Sequence, residues 1–402
     1  MPSLLSDLRY AVHGLRKSPV LAAAAIASLA LGIGTNVTVF SVVREMILDD
    51  LSARQPDRLV LVENVNVSYT LYRELQTTGV FESLAFHRGL RDRIWRASTR
   101  SEMLWTFTTS ANFFDVLGIR AYTGRLYSQA DEGREFAVAS YGFWRKRLHA
   151  DPSTLARPIE LNGKLYTVIG VLPPDYRSVY GHGISPEVYL SDAGNSNPQD
   201  RVYGLFGRMR QGLSREQSRQ ALVAVVERLR GRDSARRIIE LGPMSGLRAN
   251  AAKGGDERLF FLFFIMLFGV AGTLAVIACS NVAGLLVART LNRGRELAIR
   301  KALGASRLQV VWLLLTEGIL LVLCGAGFGL ALDALLRNRL SYIRWPSAYG
   351  LPFEFHFQNN TGLFLYASLT AFAALLLSSL LPALRGAEAD LSLAMKQESP
   401  KH

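Results

Sequence analysis

Cysteine is scarce in this chain. Among 402 residues only Cys279 and Cys324 occur, and both lie within long hydrophobic runs. The polar part of the chain therefore has no disulfide available and must fold through core packing alone. Neither cysteine has the spacing of a metal site. We expect both to be small residues that face lipid or the helix bundle.

Recognisable catalytic patterns are also missing. The six histidines are scattered, and none occurs in an HExxH or comparable metal-binding spacing. The chain contains neither a G-x-S-x-G nucleophile elbow nor a G-x-x-x-x-G-K-S/T phosphate loop. We therefore predict that the chain is not an enzyme and has no catalytic residue, metal ion or cofactor. Any ATP hydrolysis must come from another polypeptide.

Long hydrophobic runs dominate what the chain does contain. Hydrophobic residues make up 49% of the sequence, and they concentrate in four runs. Each run can cross a hydrocarbon core of ~30 Å, which takes about 20 helical residues. We place the transmembrane helices at residues 19–43, 258–289, 308–336 and 361–384. The second run is longer than a bilayer requires, so that helix either tilts or rises out of the membrane as a stalk.

The net charge of +13 lies largely beside these runs. The preference of Lys and Arg for the cytoplasmic side explains it better than nucleic-acid binding does. With the N-terminus inside, residues 44–257 and the loop 337–360 lie outside, whereas 290–307 and the tail 385–402 are cytoplasmic. Residues 1–18 are predicted to form an amphipathic elbow helix in the headgroup region, with a cleavable signal peptide as the alternative.

The external segment 44–257 has a mixed α and β pattern. Asn162-Gly163 lies between two alternating strands and is typical of a type I′ hairpin turn. Residues 213–230 form a predicted amphipathic helix that Ser214 and Gln217 can begin with a capping box. The predicted fold is therefore an α-helical membrane protein with four transmembrane helices (1+3) and a large α+β extracytoplasmic domain inserted between helices 1 and 2.

The most informative segment is RGRELAIRKALGASR, residues 293–307, which joins the second and third runs. Glu296 and Arg300 can form an i,i+4 ion pair, and Ile299 and Leu303 give the segment an apolar face. Gly304 can end the helix, and Ser306 can cap the helix that follows. A plain cytoplasmic loop needs the charge but not the helical face or the glycine. The pattern therefore leaves two hypotheses, a simple connector and a short helix that docks on a partner.

Acidic residues within the third run raise a second question. A carboxylate at membrane depth, such as Glu317, is a functional-site hypothesis by default. A helix that begins at residue 307 reaches Glu317 after roughly 15 Å, at 1.5 Å per residue, so the alternative places it at the inner interface. Asp333, near the far end of the same run, is also expected at an interface.

Several longer motifs carry a family resemblance. They are ANFFDVLGIRAYTGRL and LFGRMRQGLSREQSRQALVAVVERL in the external segment, RGRELAIRKALGASRLQVVWLLLTEGILL around the basic segment, and LPALRGAEADLSLAMKQES near the end. Over nearly its whole length the chain resembles a MacB/FtsX-type ABC transporter permease, with a MacB-like periplasmic core domain and an FtsX-like permease domain. It is similar to one half of the duplicated orphan permeases of acidobacteria.

The resemblance implies a permease subunit in the bacterial inner membrane that works with an ABC ATP-binding subunit. It implies that ATP hydrolysis moves the periplasmic domain (mechanotransmission) for efflux or export of drugs, peptides or lipoproteins. The expected partners are a second permease or a second copy of this chain, membrane lipids, a periplasmic adaptor and an outer-membrane channel. The residues that the resemblance assigns to a coupling helix are Arg295, Glu296, Ile299, Arg300, Leu303 and Gly304.

Two other function classes remain as alternatives. The first is a non-transporting membrane sensor or regulator whose periplasmic domain controls a partner such as a cell-wall hydrolase. The second is a membrane-tethered external enzyme. The missing catalytic pattern disfavours the enzyme, and so do three C-terminal spans that tethering does not need.

Overall fold

The computed structural model describes residues 11–13, 15–47, 51–63, 67–97, 101–179, 184–192, 201–230, 240–244, 257–292, 299, 306–340, 342–344, 352–355, 357 and 361–380. The chain divides into two compact units. The helix unit consists of Met1–Val43, Phe261–Arg339 and Phe357–His402. The external unit consists of Arg44–Phe260 and Leu340–His356.

The α-helices of the described residues are numbered in chain order. They are α1 (Pro19–Ile47), α2 (Tyr69–Gln76), α3 (Phe113–Leu117), α4 (Tyr141–Arg147), α5 (Arg215–Arg230), α6 (Glu257–Asn292), α7 (Arg307–Leu340) and α8 (Thr361–Leu375), which continues as a π-helical turn at Leu376–Leu380. By length and composition, α1, α6, α7 and the α8 segment are apolar enough to cross a membrane. The predicted 1+3 arrangement of long apolar helices is confirmed.

Helix α1 is the most covered of these four. Half of its most apolar stretch is buried, against 17% to 28% for the other three. Its residues Leu29, Ile33 and Val37 share a core with side chains from α6, α7 and α8. Glycines allow α1 and α7 to approach closely, because a Cβ atom on Gly34 would lie 2.9 Å from the carbonyl oxygen of Gly329. The helix unit is therefore packed around α1.

A buried amide also joins α1 to α6. The Asn36 side-chain nitrogen donates to the carbonyl oxygen of Gly32, at 2.9 Å, and to that of Ala271, at 2.8 Å. The first bond stays within α1 and the second crosses to α6. Because both hydrogen bonds form inside an apolar bundle, they fix how the two helices face each other.

The strands of the external unit are also numbered in chain order. They are β1 (Leu59–Glu63), β2 (Val67–Ser68), β3 (Phe81–Arg96), β4 (Ser101–Thr109), β5 (Thr123–Gly124), β6 (Phe136–Ala139), β7 (Pro158–Leu161), β8 (Lys164–Val171), β9 (Val188–Ser191), β10 (Arg201–Val202), β11 (Gly204–Met209), β12 (Glu240–Pro243), β13 (Tyr342–Arg344) and β14 (Pro352–Glu354). Among the described residues, ten of them form one sheet in the order β12-β1-β11-β3-β4-β9-β6-β8-β5, with β7 bridging β3 and β8. Most neighbours are antiparallel, but β4 with β9 and β6 with β8 are parallel.

Helices cover this sheet and bury three apolar clusters. Leu71 and Leu75 of α2 pack with Leu222 and Val226 of α5 over one part of the sheet. A second cluster is rich in aromatic side chains, and its largest members are Phe107, Phe113, Phe114, Tyr127, Tyr189 and Phe206. The third places α4 against β7 and β8. Strands and helices share common cores, which confirms the α+β class of the external domain.

Two local predictions in the external segment are confirmed. Asn162 and Gly163 both have positive φ, 48° and 78°, as a type I′ turn requires, and they join β7 to β8. At the start of α5, the Gln217 amide nitrogen donates to Ser214 Oγ at 3.2 Å, and the Ser214 amide nitrogen donates to Gln217 Oε1 at 2.9 Å. These two bonds are the reciprocal pair of a capping box.

The connection between the last two long helices differs from the predicted loop over 337–360. Helix α7 extends to Leu340, and β13 pairs antiparallel with β14 to form a hairpin. This hairpin belongs to the external unit. Each strand has only three residues, too few for apolar and polar alternation to be recognised in a sequence.

Candidate functional site

The predicted coupling segment lies between α6 and α7. Helix α6 ends at Asn292 and α7 begins at Arg307. Ile299 is helical and 61% exposed, so an apolar side chain on this segment is open to solvent or to a partner. The other residues assigned to docking lie outside the described residues, namely Arg295, Glu296, Arg300, Leu303 and Gly304.

The C-terminal boundary of the segment is fixed by a cap. The Gln309 amide nitrogen donates to Ser306 Oγ at 3.3 Å, and the Ser306 amide nitrogen donates to Gln309 Oε1 at 2.9 Å. Ser306 therefore satisfies free amides at the start of α7, as the sequence predicts. The cap separates the segment from the helix that follows it.

On the other side, Arg289 ties the end of α6 to the start of α1. Its Nη2 atom donates to Ser18 Oγ at 2.6 Å and to the Ser18 carbonyl oxygen at 3.3 Å. A guanidinium is a strong donor, and here it joins two helix ends that are far apart in the sequence. The end of α6, after which the segment begins, is therefore held in place within the helix unit.

Glu317 lies early in α7 and is only 3% exposed. The next residue, Gly318, marks a close approach to α8, because a Cβ atom there would overlap the side chain of Ser379. Ser378 and Ser379 are buried in the π-helical turn that ends α8. Burial inside the helix unit keeps the hypothesis of a functional carboxylate at Glu317 open.

A second acidic residue on α7 has partners that the sequence analysis missed. Asp333 is fully buried, its Oδ1 accepts a hydrogen bond from Thr38 Oγ1 at 3.1 Å, and its Oδ2 lies 2.8 Å from Arg337 Nη2. The i,i+4 spacing of Asp333 and Arg337 is a signal of an ion pair that the sequence does contain. Thr38 lies 295 residues away, and nothing in the sequence indicates that contact. The three side chains link α1 to α7 within the helix unit.

Comparison with known proteins finds a matching family for each of the two parts of the chain. Residues 22–225 match the family described as MacB-like periplasmic core domain, and residues 259–391 match the family described as FtsX-like permease C-terminal. The first match alone covers half of the 402 residues. The chain belongs to the MacB/FtsX-type ABC transporter permeases. It is a membrane protein whose MacB-like match begins within the first long helix and whose FtsX-like region holds the other three.

Individual relatives of this permease are distant. An ABC transporter permease of Bacillus subtilis (strain 168), YvrN, is 26% identical over 238 residues, which are 55% of this chain and 56% of that protein. The macrolide export ATP-binding/permease protein MacB of Neisseria meningitidis serogroup B is 22% identical over 236 residues, 55% of this chain and 34% of MacB. The permease thus spans about half of one relative's length and a third of the other's.

Among solved structures, the periplasmic region of MacB from Actinobacillus actinomycetemcomitans is similar to part of the permease. The alignment covers 50% of this chain and 92% of that region, with 14% sequence identity and a TM-score of 0.39.

Proposed function

We propose that this chain is the permease subunit of a MacB/FtsX-type ABC transporter and that a separate ATP-binding subunit drives it. The observation that carries the proposal is the FtsX-like match over residues 259–391, because that range contains the basic segment 293–307 between two membrane-length helices. Cytoplasmic basic loops are expected at this position. Since the sequence has no phosphate loop, the nucleotide is bound by another polypeptide.

In this proposal the segment 293–307 is the coupling helix. Ile299 and Leu303 supply its apolar contact, while Arg295, Glu296 and Arg300 supply charges that orient the partner, and Gly304 ends the helix. Closure of the ATP-binding subunits pulls on α6 and α7, whose inner ends flank the segment. The movement of these helices then shifts the MacB-like domain, so that the permease works by mechanotransmission.

The proposed setting is the bacterial inner membrane, with the MacB-like domain in the periplasm. The permease pairs with a second copy of itself or with a second permease. A periplasmic adaptor and an outer-membrane channel complete an export route for drugs, peptides or lipoproteins. The name of the Neisseria relative, which joins macrolide export with an ATP-binding/permease protein, supports the drug class within this range.

The docking residues are tested by purification from native membranes. We expect a polypeptide with a phosphate-loop sequence to co-purify with the wild-type chain, together with ATPase activity. Mass spectrometry identifies this polypeptide. Replacing Glu296, Arg300 and Leu303 together with alanine removes the charges and the apolar contact of one helical face. We expect this variant to lose nearly all of the bound ATPase activity, because interface energy is concentrated in a few residues.

The matched control changes an ion pair of the external domain. Glu216 and Arg219 form an exposed pair at 2.7 Å on α5, and replacing both with alanine is expected to leave ATPase recovery unchanged. Equal recovery from the triple variant and the wild type would contradict docking through the segment 293–307.

A further inference from the structure

The helix unit contains a groove that three of its helices line. The cavity has a volume of about 310 Å³, and its lining residues belong to α1, α6 and α8. All of them lie within the helix unit. Sites that bind small molecules start at about 300 Å³, and this volume is about ten times the ~30 Å³ share of one water molecule. The groove therefore has room for one slender ligand.

Each helix contributes a single face to the groove. The lining residues fall within 29–36 on α1, 272–279 on α6 and 366–377 on α8, and on each helix they recur three and four residues apart. Most of their side chains are apolar or small, and none of them is charged. A charged group placed in this groove would lie unpaired in apolar surroundings, which is costly. The occupant is therefore neutral and mostly hydrocarbon.

Glycines shape the floor and the opening of the groove. A Cβ atom on Gly32 would lie 3.0 Å from the Cβ atom of Ala278, so α1 and α6 approach closely at the floor. Gly272 also lines the groove, but beyond the backbone of its own helix no atom of the described residues lies within 4 Å of its Cβ position. Space next to Gly272 is therefore open to a ligand.

Asn36 adds a polar atom to this apolar lining. The residue is only 6% exposed, and its Nδ2 atom donates to the carbonyl oxygens of Gly32 and Ala271. A carbonyl oxygen can only accept, so the amide nitrogen must face both partners and both of its hydrogens are used. Among the described residues, no group donates to Asn36 Oδ1. A side chain that lines the groove thus keeps one acceptor without a donor.

The hydroxyl of Thr370, which also lines the groove, is in a different situation. Its Oγ1 atom donates to the carbonyl oxygen of Tyr366 at 2.8 Å, one turn earlier in α8. This local bond satisfies a threonine hydroxyl within its own helix. Asn36 Oδ1 instead needs a donor that comes from outside the three helices.

The depth of Asn36 makes this need strong. Asn36 lies within Pro19–Glu45, the membrane-length stretch of α1. The hydrocarbon region of a bilayer offers no water to donate to an exposed acceptor. A plain acyl chain can fill the groove but donates no hydrogen bond. A chain that carries a hydroxyl fills the same space and also satisfies the oxygen.

We propose that the groove between α1, α6 and α8 is a binding site for a neutral, single-chain amphiphile of the membrane. Its hydrocarbon chain packs against the three helices beside Gly272, and its hydroxyl donates to Asn36 Oδ1. The apolar lining gives affinity for the chain, and Asn36 selects the hydroxyl. This site goes beyond the proposed function, because binding requires no ATP-binding subunit.

The test is photolabelling of the full-length protein in lipid nanodiscs, without any ATP-binding subunit. The probe is a long-chain alcohol that carries a diazirine in its chain, and mass spectrometry identifies the labelled residues. We expect dodecanol to displace label from residues 29–36, 272–279 and 366–377. At equal membrane concentration, dodecanol should compete about fivefold more strongly than dodecyl methyl ether, which has the same chain but no donor, because one hydrogen bond is lost.

Two glycine variants test the location of the site. Gly272→Leu fills the open space and is expected to lower the displaceable label about tenfold, because overfilling a confined space is unfavourable. Gly269→Leu is the matched control. Gly269 lies on the same helix and also has open space at its Cβ position, but it is not among the residues that line the groove. This variant should label as the wild type does.

Two further variants test the hydrogen bond. Asn36→Leu removes the acceptor, so dodecanol and its methyl ether should compete equally for the label that remains. Thr370→Val removes the hydroxyl that is already satisfied, and the preference for dodecanol should persist. The comparison of alcohol and ether in the wild type needs no substitution, so it is decisive even if Asn36→Leu fails to fold.

Equal competition by dodecanol and its ether in the wild type would overturn the assigned ligand class. Equal labelling of Gly272→Leu and Gly269→Leu would overturn the location, and loss of the preference in Thr370→Val would overturn the role of Asn36. None of these results bears on the proposed function, since the ATP-binding subunit is absent. Conversely, equal ATPase recovery from the triple variant of the segment 293–307 would leave the groove site standing.

Discussion

Replacing Arg337 with leucine is expected to lower the stability of the helix unit by about 3–5 kcal/mol, the cost of leaving a buried charge without its partner. Arg337 is the counter-charge of Asp333, which is fully buried between α1 and α7. Thr38 can still donate its hydrogen bond to Asp333 Oδ1, but a hydroxyl does not neutralise a carboxylate. The measurement is thermal unfolding in detergent, in which the helical signal that remains at each temperature is recorded.

The control for this prediction also removes the charge of Asp333. In the double variant Asp333→Asn/Arg337→Leu, a neutral amide oxygen can accept the Thr38 hydrogen bond and no charge remains unpaired. We expect this variant to regain most of the lost stability, since replacing a whole buried pair is often nearly neutral. Wild-type stability of the single Arg337→Leu variant would show that the pair does not hold α1 against α7.

Acid is expected to destabilise the external domain through His87. This side chain is half-buried on β3, stacks on Phe107 with ring centroids 4.4 Å apart, and accepts a hydrogen bond from the Gly89 amide nitrogen at its Nδ1 atom. A Cβ atom at Gly204 would overlap the imidazole, so the ring packs directly against the start of β11. Burial lowers the pKa of His87 to about 3.

The sign of the effect follows from proton uptake. The unfolded chain binds a proton at His87 below a pH of about 6.5, whereas the folded protein does not until a pH of about 3. The stability that neutral His87 confers is complete above about 6.5 and falls as the pH drops through this window. At pH 4.5 the free energy of unfolding should be lower by about 3 kcal/mol, at about 1.4 kcal/mol per pH unit.

Urea unfolding at several pH values, followed by tryptophan fluorescence, measures this dependence. His87→Gln removes the titrating group but keeps an acceptor for Gly89, so the difference between variant and wild type isolates the histidine. His149→Gln, at an exposed histidine of the same unit, is expected to keep the wild-type pH dependence. An unchanged dependence in His87→Gln would mean that another group causes the acid sensitivity.

Much of the architecture could be predicted because its signals are local. The apolar composition of a run of about 20 residues determines whether a helix can cross a bilayer, and no distant residue is needed for that decision. Ser214 with Gln217 and Ser306 with Gln309 cap their helices within three residues of sequence. Asn162-Gly163 specifies its turn by the positive φ that both residues tolerate. The coupling residues stay a prediction of the sequence and of its family resemblance.

The contacts of the proposed sites could not be predicted in this way. The sequence contains Asp333 and Arg337 at helical spacing, but it does not indicate Thr38. Asn36 occurs in a run of small and apolar residues and carries no pattern that indicates its partners on another helix. The carbonyl oxygen of Ala271, to which it donates, is 235 residues away.

By itself, the sequence determined that the chain has four membrane-length helices, a large α+β domain after the first of them, and a basic segment between the second and third. Hydropathy, capping and turn preferences are properties of neighbouring residues, so these features can be derived without coordinates. The tertiary structure alone decided the strand order of the sheet, the pairing of Thr38 with Asp333, and the hydrogen bond from Asn36 to Ala271. These contacts join residues far apart in the chain, and their stability depends on a burial that only the assembled fold provides.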